Sequence, residues 1–403
     1  MKLIAVIIAL CLLAGPAAAL SLPHITIFTQ PATSPDLVHV ASFEGGERFA
    51  AGNYPVIVLS GSYREMGRQY GALMKKELND EYTFILDGLA KQGYTREQVR
   101  GYGREIPAYY PKRLKEVFAG MAETSGLSED DIAVLWYGAI FELMAASPVP
   151  PPSCSYLAAW GDYTPDGSVV VSRNWDLDDV VLPLTQWYVL AVYRPTDGSN
   201  AFATWSPAGV RPETWMNSAG LFLANDNAGI VDEATETRPE FITEYFRFML
   251  DYSDLNGLDA AIRGSNPEVG WIVDVAAPEG AFVYEKMTNR TLQRTKSGVV
   301  AAANHFVDPS WGLPEPPEHS LSRYNNLLRQ AEEAKGSLDA RRMMQIRDVC
   351  IENGGSKFCH LTLRGSAYST NHQVVYVPAT RTLWMNVMDK DWQKVELRPL
   401  FGV

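Results

Sequence analysis

Cysteine and histidine are scarce, at four and six residues in 403. The histidines are scattered, and no close His/Cys/Asp spacing of the kind that holds zinc occurs, so no metal is expected. A Gly-rich phosphate loop and a dinucleotide fingerprint are both missing, so no cofactor is expected either. Basic residues are outnumbered 35 to 47, for a net charge of −12. That balance disfavours nucleic acid or an anionic membrane as the main partner. Beyond the N-terminus no apolar run reaches spanning length, so stable membrane insertion is not expected. Internal repeats and low-complexity tracts are lacking too.

What is present begins with Met1-Lys2, an apolar run from Leu3 to Leu13, and Ala17-Ala18-Ala19. This is the order of a cleaved secretory signal over 1–19, which predicts a protein outside the cytoplasm, secreted or periplasmic. Cys11 would leave with it. Cys350 and Cys359 flank Asn353-Gly354-Gly355 and are expected to close a small disulfide loop in an oxidising compartment. Cys154 is then the odd thiol: reactive, paired between molecules, or simply buried and inert.

Residues 20 to about 55 are polar, with little periodicity, and Val56 to Leu59 reads as a short strand. Ser62 followed by Glu65 makes a capping box at a helix start. Gly67 and Gly71 lie on one face of that helix and read as a close backbone packing site. From Lys75 to Ala146 the pattern is mostly helical, and Val149-Pro150-Pro151-Pro152 ends it. A mainly helical 20–153 is therefore expected ahead of a strand-rich 154–403. Short β-like runs then alternate with blocks of helix, which points to α+β with sheets covered by helices.

Cys154 stands at the start of a hairpin. Ser155 to Trp160 reads as one strand, Thr164-Pro165-Asp166-Gly167 as its turn, and Val-rich Ser168 to Ser172 as the return. The return brings Arg173 and Asp176 back towards Cys154. Asn225-Asp226-Asn227 follows an apolar strand, with Asn225 and Asn227 on one face. Asn304-His305-Phe306 and Ser322-Arg323-Tyr324 lie further on. Each patch alone also reads as a turn, a cap or a surface ion pair. Together they supply a nucleophile, orienting charges and amide donors.

Cys154 followed by Arg173-Asn174-x-Asp176 resembles the linear amide C–N hydrolases that include choloylglycine hydrolases and penicillin acyltransferases. The resemblance runs along most of the chain: Gly61 to Gly71 looks like the acyltransferase pro-region motif, and Asn217-Ser218-Ala219-Gly220-Leu221 like an Asn-x-x-Gly-Leu strand entry. Asn304-His305-Phe306 and Ser322-x-Tyr324 are similar to two later motifs. It implies the four-layer αββα sandwich of N-terminal-nucleophile hydrolases, and an autocleavage between Ser153 and Cys154 that leaves an α/β heterodimer, open to further oligomerisation. The new α-amine of Cys154 would then act as base, since its pKa of about 7.7–8.0 is close to working pH. By the same resemblance Asp176 orients amine and thiol with support from Arg173, and Asn227 or else Asn225 serves the oxyanion. Asn304 binds the tetrahedral centre, and Arg323 completes the ionic network. The implied partner is a small-molecule amide or acyl substrate.

Other readings stand beside it. Ser-Cys-Ser and Asn-Trp also resemble phospholipase B-like proteins of the same fold, which would make the substrate a lipid. A papain-like enzyme would pair Cys154 with His305, His360 or His372. A binding protein would keep Cys154 as a structural thiol.

Overall fold

Short β-branched runs separated by Gly, Asn and Asp fold into two sheets, in a computed structural model that describes residues 37–105, 110–137, 144, 153–228, 241–267, 269–363 and 365–403. The 1–19 segment, the prolines at 150–152 and the expected helix end at 141–143 lie outside the described residues. The order begins β1 (Val38–Phe43), β2 (Gly46–Ala51), β3 (Tyr54–Gly61), then α1 (Tyr63–Leu73), α2 (Lys75–Lys91), α3 (Arg96–Glu105), α4 (Lys112–Ser125) and α5 (Glu129–Tyr137). Next come β4 (Ser153–Gly161), β5 (Gly167–Asp178), β6 (Tyr188–Pro195), β7 (Phe202–Pro207), β8 (Thr214–Asn217) and β9 (Phe222–Asn227). After α6 (Glu244–Asp251) and α7 (Leu255–Gly264) follow β10 (Trp271–Ala277), β11 (Gly280–Lys286), β12 (Thr291–Arg294) and β13 (Val299–Ala302). The chain closes with α8 (Glu318–Glu333), α9 (Ala340–Arg347), β14 (Leu361–Leu363), β15 (Ser366–Val377), β16 (Thr382–Val387), β17 (Gln393–Glu396) and a short α10 (Leu397–Phe401).

The larger sheet runs β1-β2-β3-β6-β7-β8-β9-β10-β11-β12, antiparallel except where β3 meets β6. The smaller runs β13-β4-β5-β15-β16-β17, with β14 on the end of β15. Helix α1 lies on the outer side of the larger sheet, α8 and α9 on the outer side of the smaller, and β4 faces β9 across the middle. The result is an α+β sandwich in four layers, αββα. Strand alternation assigns its cores. Tyr156, Val171 and Phe222 belong to the core between the sheets, where Tyr156 stacks on Phe222. Leu157, Ala159 and Val170 belong to a second core under α8 and α9.

Ser62 and Glu65 form the expected reciprocal cap. Gly67 and Gly71 also pack as expected: an added Cβ would come within 2.1 Å of Val117 O and 2.5 Å of Met121 O, both on α4. The polar segment before residue 55 differs from its reading. It forms β1 and β2 on the edge of the larger sheet, where half-exposed strands need little apolar alternation. The 20–153 segment thus gives three strands to the larger sheet as well as its helices, and the 153/154 boundary falls inside β4.

Candidate active site

The hairpin forms as its turn chemistry requires: Asp166 Oδ1 accepts from Ser168 N at 3.0 Å, and Gly167 takes φ +78°. Its register sets Ser153 opposite Asp176 and Cys154 opposite Trp175. Alternation then divides the site between two faces. Cys154, Arg173 and Trp175 point between the sheets. Ser155, Asn174 and Asp176 point towards α8 and α9.

On the inner face the Cys154 thiol is 1% exposed and unpaired with any other cysteine. Burial pushes it well above the ordinary thiol range, opposed by Arg173. Arg173 Nη2 donates to Cys154 Sγ at 3.1 Å, to Glu213 Oε2 at 3.0 Å and to the Asn225 carbonyl, while Nη1 reaches Thr214 Oγ1 at 3.4 Å. Its Nε lies 3.7 Å from Asp226 Oδ1. Burial raises Asp226 to about 6 against the pull of Arg173, and Asp274, across the β9–β10 ladder, is raised further by burial and by Asp226.

On the helix face Asp176 is fully buried and raised by burial against Arg323. Its Oδ2 accepts from Arg323 Nη1 at 3.0 Å and its Oδ1 from the Thr370 hydroxyl. A bulge at Asn371 lets Thr370 face the helices with Asp176 while His372 faces the inner core. Arg323, brought in by α8, also donates to the Cys154 carbonyl at 2.7 Å and to Asn304 Oδ1 at 2.7 Å. The same Asn304 Oδ1 accepts from Cys154 N at 2.8 Å, and Asn304 Nδ2 donates to the Asn227 carbonyl at 2.8 Å. Arg347 of α9 donates to Asn174 Oδ1 at 2.8 Å, to Ser155 O at 2.6 Å and to Ser155 Oγ at 3.0 Å. Burial lowers it to about 9.

Cys154, Arg173, Asp176, Asn304 and Arg323 are therefore brought together, in a different division of labour from the one expected. Arg173 serves the thiol, and Arg323 with Thr370 serves Asp176, because residues three apart on a strand point to opposite faces. Asn225 and Asn227 enter through their main-chain carbonyls. Asp226 between them turns inward with Phe222 and Ala224. The histidines are engaged elsewhere: His305 with Ser320, His360 with Asp179, and His372 with Tyr188 and Thr214. His372 is the ladder partner of Trp175, two strands from Cys154 and so about 10 Å away. Glu213, Asp226, Asp274, Arg347 and Thr370 were missed in the sequence. Period-two counting from the apolar Phe222 and Ala224 would have flagged Asp226 as inward-facing, and no local signal marks the other four.

Cys350 and Cys359 are bonded, with Cα atoms 5.8 Å apart. Among the described residues no helix is long and apolar enough to cross a membrane.

Fold and site together define a four-layer sandwich with a buried strand-end cysteine whose thiol is held by Arg173 and whose carbonyl is held by Arg323. No protein-family model matches the chain, and no curated protein matches its sequence. Among solved structures it is similar to a conjugated bile acid hydrolase from Clostridium perfringens, at 13% identity and TM-score 0.45 over 62% of this chain and 94% of that one. Penicillin V acylase from Agrobacterium tumefaciens aligns at 12% identity and TM-score 0.43 over 60% and 86%. A Caenorhabditis elegans N-acylethanolamine-hydrolyzing acid amidase ortholog aligns at 11% and 0.38 over 56% and 93%.

Proposed function

We propose that the chain is a secreted, self-processing cysteine hydrolase of the N-terminal-nucleophile kind. It would cleave a linear amide, or transfer its acyl group, through a thioester on Cys154. One observation carries this reading. Cys154 N is already held at 2.8 Å by Asn304 Oδ1 while Arg173 holds Sγ, and the histidines that would serve a papain-like enzyme are bonded away from the thiol.

In the first reaction Cys154 Sγ adds to the Ser153 carbonyl carbon, the Ser153–Cys154 C–N bond breaks, and the thiol proton ends on the departing nitrogen. Water then hydrolyses the thioester, leaving a Ser153 carboxylate and a Cys154 that carries both free thiol and α-amine. Arg173 and Arg323 beside that amine favour its neutral form, so it takes the thiol proton as base and returns it to the substrate's leaving amine. Because both groups sit on one residue, the transfer is nearly intramolecular. Asn304 holds the tetrahedral centre. The expected oxyanion amide, Asn227 first and Asn225 second, would have to turn its side chain inward from the far face of β9, and losing such a donor typically costs about 2.7–4 kcal/mol of barrier.

Intact mass and N-terminal sequencing of the purified protein, beside Cys154→Ala, test the reading. Two fragments, the larger starting Cys154-Ser155-Tyr156, with the variant whole, are expected. A single uncut chain in both would remove the amine-base mechanism.

A further inference from the structure

The loop closed by Cys350 and Cys359 is bonded to two of the elements that carry the helix-face network, α8 and β15. It is tightly built: Gly355 N donates to Cys350 O at 2.9 Å, and Ser356 N and Lys357 N to Val349 O at 3.1 and 3.0 Å. A Cβ on Gly355 would lie 1.9 Å from Val349 O, so only glycine permits this approach. Two bonds tie the loop to α8, which carries Arg323: Asn326 Nδ2 to Gly355 O at 2.9 Å and Arg329 Nη2 to Gly354 O at 2.8 Å. Two more tie it to β15. Phe358 N donates to Thr370 Oγ1 at 2.9 Å, and Thr370 N to Phe358 O at 2.9 Å.

The consequence lies in one proton. A threonine hydroxyl has a single hydrogen to give. With Phe358 N–H occupying one of its lone pairs, that hydrogen is directed to Asp176 Oδ1. The Phe358 ring, 1% exposed, lies 4.7 Å from Arg323 Cζ and fixes the guanidinium from the other side. Asp176 and Arg323 are the two charged groups through which the helix face holds Cys154.

We propose that the Cys350–Cys359 loop is the positioning element of this site, acting through Phe358 and Thr370. Its effect on rate rests on the self-cleavage proposed above; its effect on Asp176 and Arg323 does not. The test follows newly synthesised full-length chain by intact mass, with melting temperatures measured in parallel. Thr370→Val and Cys350→Ser/Cys359→Ser are expected to cut about ten- to a hundred-fold more slowly, as the loss of one charge-assisted hydrogen bond implies. Thr370→Ser keeps the hydroxyl and should cut within about two-fold of the parent, which a merely structural role would not separate from Thr370→Val. Variants that melt earlier but cut at the parent rate would overturn the proposal. Should the double serine variant fail to fold, the Thr370→Val and Thr370→Ser pair decides. Should the parent itself stay uncut, the functional reading fails, and alkylation of Cys154 by iodoacetamide against pH takes over. A profile displaced in Thr370→Val and restored in Thr370→Ser upholds the positioning role, and superimposable profiles end it.

Discussion

The two faces of the β4–β5 hairpin hold the same kinds of residue in opposite conditions. On the helix face both oxygens of Asp176 are hydrogen-bonded, and Arg323 and Arg347 each serve several acceptors, so that among the described residues only neutral or cationic nitrogens such as Asn174 Nδ2 and Arg347 Nη1, and the amide oxygen of Gln373, are left over. On the inner face, among the described residues, both oxygens of Asp226 and of Asp274 and the Nε of Arg173 lack a hydrogen-bond partner. Helices can send long arginines and amides onto a sheet, whereas the second sheet here offers mostly apolar and aromatic side chains such as Phe222 and Trp215. The inner face therefore depends on one cation. It carries uncompensated charge next to the thiol, which is where a shifted pKa can serve chemistry.

The largest effect expected from this contrast is Arg173→Met against Arg347→Met. Removing Arg173 strands Glu213 and Asp226 without a cation, which should cost about 3–5 kcal/mol of stability. Removing Arg347 leaves only neutral acceptors, on Asn174 and Ser155, and should cost about 1–3 kcal/mol. Denaturant midpoints measure both, and adding Asp226→Asn should recover part of the Arg173→Met loss. Equal costs would break the contrast.

The hairpin at the centre of this contrast was legible in the sequence, because Pro165-Asp166-Gly167 and the valines before Ser172 act locally. So was the α1–α4 contact, since Gly67 and Gly71 announce a close approach. Sidedness was legible in principle: Arg173 and Asp176 differ by three positions and must face apart on a strand. Partners of the charges were not. Arg347 meets Asn174 across 173 residues and Thr370 meets Asp176 across 194, so only the folded ladder and helix docking bring them together. β1 and β2 were hidden for another reason, since an exposed sheet edge writes little hydrophobic pattern.

A smaller effect separates the faces by pH. Asp226 has its carboxyl raised in the fold to about 6 from 3.8. The folded protein thus binds the extra proton, and this contribution to stability is complete below about 3.8 and lost as pH rises through about 6. Asp226→Asn removes that loss. The variant should be no less stable than the parent at pH 7, and its stability should not fall between pH 4 and 6 as the Asp226 contribution does. A variant markedly weaker than the parent at pH 7 would mean that the ion pair with Arg173 outweighs the burial of the carboxylate.

His305 gives the smallest effect, and it runs against Asp226 in the same window. Its Nδ1 is 2.7 Å from Ser320 Oγ, and burial, then Arg294 and Arg323, lowers its pKa to about 4 from 6.5. Here the unfolded chain binds the proton more readily, so the contribution is whole above about 6.5 and is lost as pH falls through about 4. His372, buried between Trp175 and Tyr188, is lowered by burial too and adds a loss of the same sign on acidification. Acidification from 6.5 to 4 therefore gains stability through Asp226, with buried Asp176 and Asp274 acting in the same sense, and loses it through the two histidines, so the two sets oppose each other. Asp226→Asn should steepen the acid loss. His305→Gln should make it shallower without abolishing it, because His372 still titrates. The double variant should fall between them, with changes that add, since Asp226 lies on the inner face and His305 beyond β13 on the side of α8. Urea midpoints at half-unit pH steps would show this. A single variant whose curve superimposes on the parent's would mean that its group keeps its ordinary pKa in the fold, and curves that move in the same direction would mean that one group is shifted the other way.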